Sequence, residues 1–258
     1  MKILAIESSS LVASAAVVED DVVTAEYTVN FKKTHSQTLL PMIDEIVSMI
    51  GLDVNTIDGI AVSGGPGSFT GLRIGSATAK GLGLALNKPL IHVPTLDAMA
   101  WNLYGVSGII CPIMDARRNQ VYTGLYRFEK EFQVEMESCS MDIHELICHL
   151  NELGERVFFL GDGVPVYKKV VEEEMTAPWD FVPAQSNRQR AASVAALGSR
   201  YFAEGKVETA AEHAPDYLRK AQAERELEEA KRQGKTKELA AGHSVGTGEE
   251  PVKTSGEA

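Results

Sequence analysis

The 258-residue sequence has only three cysteines, Cys111, Cys139 and Cys148, and no two of them have the CxxC spacing. An odd number without that spacing argues against a disulfide framework and indicates reduced thiols, as in a cytoplasm. No run of about 18 apolar residues occurs, so the sequence predicts no membrane-spanning helix. Glu7 interrupts the amino-terminal apolar run too early for a signal peptide, so we expect a soluble, cytoplasmic protein.

Basic side chains are also scarce. The sequence has 25 Lys and Arg against 36 Asp and Glu, which gives a formal net charge of -11. Residues 219–258 carry 8 basic and 8 acidic side chains, so the excess of acid belongs to the preceding part of the chain. Because proteins gain affinity for nucleic acids by neutralising phosphates, such a chain is a poor binder of RNA or DNA by itself. We therefore expect a partner to make most of any contact with nucleic acid.

Hydrophobic residues make up 44% of the chain, enough to bury a substantial core. Their periodicity predicts a first cycle of strands at residues 2–6, 12–18, 22–29, 57–63 and 90–93, with helices at 36–50, 70–86 and 96–104. A second cycle has strands at 109–114, 120–128, 132–136 and 156–160, with helices at 142–153, 166–174 and 190–203. The order is similar both times: three strands, followed by alternating helices and strands.

The repeated order predicts an α/β protein with two similar mixed-sheet layers, a domain at residues 1–105 and another at 106–218. Residues 219–258 differ in composition. The pattern at 219–233 predicts a charged helix with a thin apolar stripe. From residue 234 onward large apolar residues are almost absent, so we expect a disordered tail.

Two such cycles resemble the actin-like/Hsp70-like (ASKHA) superfold. A more specific likeness lies in residues 65–75, Gly-Pro-Gly-Ser-Phe-Thr-Gly-Leu-Arg-Ile-Gly. This segment resembles the signature of the TsaB family, also called YeaZ. Further similar stretches are residues 3–8, 35–41, 115–118 with 121–122, and 215–219, which occur in family order. The resemblance covers the chain to about residue 220.

The resemblance implies a non-catalytic subunit and a paralogue of the catalytic subunit TsaD. With TsaD and the ATPase TsaE, members of the family form N6-threonylcarbamoyladenosine next to the anticodon of tRNAs that read codons beginning with A. The implied role is to bind and activate TsaD, with a homodimer in its absence. Contact with tRNA would occur only through the complex, and the chain would have no catalytic residue of its own.

Histidines at two places in the sequence bear on metal binding. TsaD holds its metal with a His-x-x-x-His pair, because that spacing places two imidazoles on one helical face. Here His35 is followed four residues later by Leu39. His144 and His149 are five residues apart, which turns them away from each other on a helix. The sequence therefore predicts no metal site at either place.

Two short turns are candidate remnants of a nucleotide site. Glu7 and Ser8 occupy the first β-turn, where active members of the superfold keep an aspartate. Gly161, Asp162 and Gly163 follow a strand where the superfold has its adenosine loop. Each turn has an ordinary structural interpretation as well. We expect no tightly bound cofactor, although the resemblance allows ATP or ADP at the shared subunit boundary.

The first two helices are the candidate partner surface. The glycine-rich turn at 64–67 is not a Walker motif because no Lys-Ser/Thr pair follows it. The small residues of the next helix would instead allow another backbone to approach closely. We expect eight residues at or near the contact with TsaD: His35, Leu39, Leu40, Ile43, Phe69, Arg73, Ile74 and Ala77. The alternative is that the apolar ones are core residues.

Three other functions remain open. The chain could be an autonomous ATPase or kinase of the same superfold, which needs an acidic metal site that the sequence does not show. It could be a metallopeptidase, which needs the missing histidine pair. It could also be a homodimeric scaffold without a tRNA role. Arg117 and Arg118, beside Asp115, could touch tRNA or a partner, or simply form a solvated turn.

Overall fold

Two five-stranded mixed sheets form the framework of the computed structural model, which describes residues 1–32 and 34–218. The first cycle contains β1 (Lys2–Glu7), β2 (Val12–Glu19), β3 (Val22–Asn30), α1 (His35–Met49), β4 (Gly59–Gly65), α2 (Phe69–Leu86), β5 (Leu90–Pro94) and α3 (Thr95–Trp101). A short 3-10 turn at Val54–Thr56 precedes β4. The second contains β6 (Ile109–Asp115), β7 (Gln120–Phe128), β8 (Phe132–Asp142), α4 (Ile143–Leu153), β9 (Val157–Leu160), α5 (Val164–Glu174), β10 (Trp179–Phe181) and α6 (Ala191–Ala203).

Both sheets have the same strand order. The first runs β3-β2-β1-β4-β5, and the second, read from the other edge, runs β8-β7-β6-β9-β10. In the first sheet β1 pairs antiparallel with β2 and parallel with β4. In the second sheet β6 pairs in the same two ways with β7 and β9. This repeat confirms the predicted α/β fold class with two similar mixed-sheet layers.

Helices cover both faces of the first sheet. Because successive side chains of a strand point to opposite faces, alternate residues of β1 enter different cores. Leu4 and Ile6 pack with residues of α1, and Ile3 and Ala5 pack with residues of α3 and α6. The sheet is therefore a buried central layer, with α1 and α2 on one side and α3 and α6 on the other.

The second sheet has α4 and α5 on one face, where Leu146 and Tyr167 pack against Phe159. On its other face, Leu96 and Met99 of α3 pack against Tyr126. Helix α3 thus contributes to the cores of both sheets, which makes it the structural joint between the two layers.

The predicted domain boundary needs a correction, because residues 106–218 do not all belong to the second layer. Helix α6 packs on the first sheet, where a Cβ on Gly198 would lie 2.7 Å from the Cβ of Ala61. The following residues 204–218, here called the return segment, also lie against that sheet. Leu90 and Glu208 exchange backbone hydrogen bonds of 2.8 and 2.9 Å. The small residues of α6 permit this close return, which periodicity alone did not reveal.

Several element boundaries also differ from prediction. Helix α1 begins at His35, with Thr34 rather than Ser36 at its N-cap. Strand β8 extends to Asp142, six residues past its predicted end, and the short strand β10 was not predicted. The charged helix at 219–233 and the tail at 234–258 lie outside the described residues. None of the helices in the described part of the chain has the length and apolar character needed to cross a bilayer.

Candidate functional site

The predicted partner residues of α1 divide into buried and exposed ones. Leu39 and Ile43 are only 1% and 4% exposed and belong to the core beneath the helix. Leu40 is 57% exposed, because one step along a helix turns a side chain by about 100°. Leu39 and Ile43 therefore support α1 from within, and of these three residues only Leu40 offers its side chain to a partner.

His35 anchors the start of α1 to the first sheet. Its Nε2 atom lies 3.0 Å from the backbone oxygen of Val12 in β2, within hydrogen-bond distance. The side chain of Leu39, at the position where TsaD has a second histidine, points into the core. The geometry suits positioning of the helix and offers no second imidazole at this place.

The exposed start of α2 carries a cluster of Phe69, Arg73 and Tyr217, here called the aromatic–arginine cluster. The Arg73 guanidinium lies 4.0 Å from the centre of the Phe69 ring, a cation–π contact. The rings of Phe69 and Tyr217 are 4.8 Å apart between centroids. Arg73 Nε also donates a hydrogen bond of 3.3 Å to the Tyr217 hydroxyl. Tyr217 comes from the return segment, and although it lies in the family-like stretch 215–219, the sequence did not indicate that it contacts α2.

Farther along α2, a narrow face with little side-chain bulk points outward. Arg73, Ala77, Gly81 and Ala85 recur at every fourth position and are exposed. A Cβ added to Gly81 would meet no atom within 4 Å, so the space outside the helix is open there. Ile74, also predicted at the interface, is half-buried and packs against the core.

Other small residues of α2 allow the helix to pack closely against the rest of the chain. A Cβ on Gly71 would clash with the backbone oxygen of Ser8, and one on Gly75 would clash with the Ser8 hydroxyl. The Ser8 hydroxyl donates a hydrogen bond of 2.9 Å to the Gly71 carbonyl. These glycines let α2 pack directly on the first β-turn, so only the outward small residues are available to a partner.

The first β-turn is closed by its own groups. Glu7 is 1% exposed, and Ser8 and Ser9 are fully buried. Glu7 Oε1 accepts hydrogen bonds of 2.6 Å from the Ser9 amide and the Ser9 hydroxyl. The Ser68 amide donates to the Ser9 carbonyl at 2.6 Å. Burial raises the pKa of Glu7 from 4.5 to about 7, so the charged form is disfavoured and protonation competes with cation binding near neutral pH.

The second predicted nucleotide loop is also packed against the protein. A Cβ on Gly161 would clash with the Ile113 carbonyl oxygen, and one on Gly163 would lie 2.9 Å from it. Arg188 Nη1 donates a hydrogen bond of 2.7 Å to the Gly161 carbonyl. These contacts explain both glycines by close packing of the loop on β6.

Asp162 interacts electrostatically with Glu7 of the first β-turn. Desolvation raises the pKa of Asp162, and Gln189 Nε2 donates a hydrogen bond of 3.3 Å to its carboxylate. The charge of Asp162 in turn contributes to the raised pKa of Glu7. The structure thus brings the two predicted loops within electrostatic reach of each other. The carboxyl groups of Glu7 and Asp162 interact, and each accepts a hydrogen bond from a neighbouring side chain.

The two remaining predicted features are the histidines of α4 and the arginines after β6, and they lie at separate positions. His144 Nδ1 lies 2.8 Å from a carboxylate oxygen of Glu174, and His149 is exposed elsewhere on α4. Arg117 and Arg118 lie in the exposed turn after β6, where the Arg117 amide donates to Asp115 at 2.8 Å. Neither place brings together groups for metal chemistry.

A group of potential metal ligands that sequence reasoning missed consists of His92, Glu208 and His213. One ligand atom from each lies within 4.8 Å of the other two. His92 is more than 100 positions from the other two residues in the sequence, so no local spacing pattern could have indicated the group.

The comparisons with known proteins give the family. A family profile described as TsaD, tRNA N6-adenosine threonylcarbamoyltransferase, matches residues 25–227. The tRNA threonylcarbamoyladenosine biosynthesis protein TsaB of Bacillus subtilis is 34% identical over 230 residues, 87% of this chain and 96% of the relative. This chain belongs to the TsaB family. The TsaB protein of Escherichia coli is 32% identical over 228 residues, 85% of this chain and 95% of the relative.

Solved structures of the TsaB (YeaZ) type share the fold. The structure titled YeaZ from Pseudomonas aeruginosa has a TM-score of 0.72 and 24% identity, covering 84% of this chain and 99% of that one. A second structure, of an uncharacterized protein with similarity to peptidase YEAZ, has a TM-score of 0.73 and 25% identity with the same coverage. The family and the superfold predicted from residues 65–75 and the repeated cycles are therefore confirmed.

Proposed function

We propose that this chain is the non-catalytic subunit of the bacterial complex that forms N6-threonylcarbamoyladenosine next to the anticodon of tRNAs reading codons that begin with A. In this proposal the chain binds and activates TsaD. The observation that carries the proposal is that a chain of the TsaB family combines a closed first β-turn with an open outward face on α1 and α2. The curated relatives, named as tRNA threonylcarbamoyladenosine biosynthesis proteins, support the pathway.

The closed first turn supports a role without chemistry. A carboxylate that holds a metal–nucleotide must be ionised and reachable, whereas Glu7 is buried, internally hydrogen-bonded and has a raised pKa. The hydroxyl groups of Ser8 and Ser9 form hydrogen bonds within the turn and with α2. These observations favour the proposal that no cofactor is bound tightly here. ATP or ADP at the boundary shared with the partner stays part of the proposal.

The outward face has the composition of a docking surface. Tyrosine and arginine are enriched among the residues that dominate the energetics of protein interfaces, and the aromatic–arginine cluster contains both. Beside it, Ala77 and Gly81 are exposed with little side-chain bulk, which would let a partner helix approach closely. Leu40 adds an exposed apolar side chain on α1. The net charge of -11 supports contact with tRNA only through the complex.

Self-pairing and TsaE complete the proposal. A homodimer that used this face would hide it, so we infer that TsaD and a second copy of the chain compete for the same surface. TsaE would be a further partner in this assembly. Both statements follow from the family resemblance, and the first also depends on the outward face of α1 and α2.

The sharpest test places a charge in the middle of that face. Ala77→Glu should weaken TsaD binding about 100-fold or more, because an unpaired carboxylate buried in an interface costs several kcal/mol. Ala203→Glu is the matched control, since Ala203 is also an exposed helical alanine but lies on α6, across the first sheet. Calorimetric titration with purified TsaD measures both. Equal affinity for the two variants would refute docking through α2.

The same preparations separate the other functions. An autonomous ATPase or kinase would show turnover by the isolated chain, and a metallopeptidase would cleave peptide in a metal-dependent way. A scaffold without a tRNA role would form homodimers that Ala77→Glu disrupts, yet it would not bind TsaD at all. Each of these results would replace the proposal.

A further inference from the structure

A buried histidine, His213, and a half-buried one, His92, lie where β5 meets the return segment. His213 is 2% exposed, and its Nδ1 atom lies 2.6 Å from Glu208 Oε1. Its other ring nitrogen, Nε2, is buried and has no hydrogen-bond partner. His92 Nε2 is also buried without a hydrogen bond. It lies 3.1 Å from Asp216 Oδ2, the distance of an ion pair.

Unsatisfied buried nitrogens are rare in folded proteins, so the unpartnered Nε2 of His213 beside His92 calls for a ligand. The hydrogen bond from Nδ1 of His213 to Glu208 fixes the tautomer that leaves a lone pair on Nε2. A carboxylate that holds a histidine in this way is the usual support of a metal-binding imidazole. The two rings are 5.8 Å apart between centroids, so they border one small volume.

The fold holds these side chains in place. A Cβ on Gly64 would overlap the His92 ring, so this ring packs directly on the glycine backbone. Glu208 is held by its paired backbone hydrogen bonds with Leu90. Lys80 Nζ donates a hydrogen bond of 2.9 Å to the His213 carbonyl, which fixes the backbone there. The arrangement therefore needs little reorganisation to receive an ion.

We propose that the Nε2 atoms of His92 and His213 bind a divalent transition-metal ion of the zinc class, with Asp216 as a third ligand and Glu208 holding the His213 ring through Nδ1. Two imidazole nitrogens with carboxylate oxygens are a donor set that suits Zn²⁺, whereas Mg²⁺ and Ca²⁺ prefer oxygen ligands alone. Two carboxylates outweigh the single positive charge of Lys80. The site shares no residue with the His35 or His144 positions.

The ion would fasten the return segment to β5. Tyr217 follows Asp216 directly and contacts Phe69 and Arg73 on α2. An ion bound by both β5 and the return segment would therefore hold Tyr217 in the aromatic–arginine cluster. This consequence rests on the proposed docking function, whereas binding of the ion does not.

The test uses the untagged full-length chain, stripped with a chelator and dialysed. Zn²⁺ is titrated against a chromogenic competitor, and Co²⁺ binding is followed by visible absorption, which reports the ligand field. We expect one equivalent of Zn²⁺, a rise of several degrees in Tm, and no comparable effect of Mg²⁺. His92→Gln and His213→Gln should each weaken Zn²⁺ binding about 100-fold, and His149→Gln, an exposed histidine on α4, should leave it unchanged.

His213→Gln changes a buried residue and could disturb folding, so the half-buried His92→Gln decides the outcome. The proposal is overturned if the stripped wild-type chain takes up no Zn²⁺ beyond the level of His92→Gln. It is also overturned if His149→Gln reduces binding as much as His92→Gln, or if Mg²⁺ gives the same rise in Tm. These readouts are independent of TsaD, so they separate failure of the ion site from failure of the docking proposal.

Discussion

Raising the pH from 5 to 8 should destabilise the protein through Glu7. Burial raises the pKa of this carboxyl from 4.5 to about 7, so the native state retains a proton that the unfolded chain releases. Between these two values the native state binds more protons, and the free energy of unfolding falls as the pH rises. A shift of that size corresponds to about 3 kcal/mol, most of which is lost between pH 5 and 8.

Glu7→Gln isolates this effect from other titrating groups. The glutamine oxygen can still accept the hydrogen bonds that the Ser9 amide and hydroxyl donate to Glu7, but it carries no charge to bury. Denaturant unfolding of both proteins at pH 5 and 8 gives the comparison. The stability of Glu7→Gln relative to wild type should rise by about 2–3 kcal/mol between the two pH values. Glu45→Gln, on the exposed side of α1, should show no such change.

Parallel pH profiles for wild type and Glu7→Gln would contradict this reasoning. They would mean that Glu7 stays ionised in the native state, which requires a solvated or cation-paired carboxylate. The interpretation of the first turn as a closed structural element would then be wrong, and a metal–nucleotide role would regain support.

Two further predictions concern α2. Gly75→Ala should destabilise the fold by about 1–3 kcal/mol because the added methyl group clashes with Ser8, whereas Gly81→Ala should be neutral or stabilise by up to about 1 kcal/mol because it faces open space. Thermal or denaturant unfolding measures both, and equal effects would argue against the packing of α2 on the first turn. Tyr217→Phe should weaken TsaD binding by up to about fivefold, since without the hydrogen bond of about 1 kcal/mol the Arg73 side chain is no longer held in position for the partner, and calorimetry showing unchanged affinity would remove Tyr217 from the docking surface.

The repeated layers were predictable because strand and helix periods are local properties of the sequence. Residues 2–6 and 109–114 alternate or run apolar as buried strands do, and both begin a cycle in the structure. Periodicity also placed an amphipathic helix at α1. It could not decide which apolar residues face outward, because the stripe is broad. Leu39 and Ile43 proved to be core residues, and Leu40 is exposed.

The features that could not be predicted from the sequence depend on contacts between distant segments. Helix α6 was assigned to the second layer by its position in the chain, but its small residues let it pack on the first sheet instead. The same return of the chain brings His213 to His92 and Tyr217 to Phe69. Contacts between distant segments leave no pattern of spacing in the sequence. The absence of a His-x-x-x-His pair, in contrast, was visible in the sequence because Leu39 stands four residues after His35.

A zinc-class ion between His92 and His213 would not restore the chemistry that the first turn lacks. The ion would lie against β5 and the return segment, and the proposal gives it a structural part. The claim that the chain docks rather than catalyses therefore depends on Glu7 and on the outward face of α2, and both can be changed independently.

The most direct test of that claim is reconstituted threonylcarbamoylation of tRNA with purified TsaD and TsaE. Wild-type chain should be required for product formation, Glu7→Gln should support the full rate, and Ala77→Glu should abolish it together with TsaD binding. Loss of product with Glu7→Gln while TsaD still binds normally would show that the first turn takes part in chemistry, and would contradict the account.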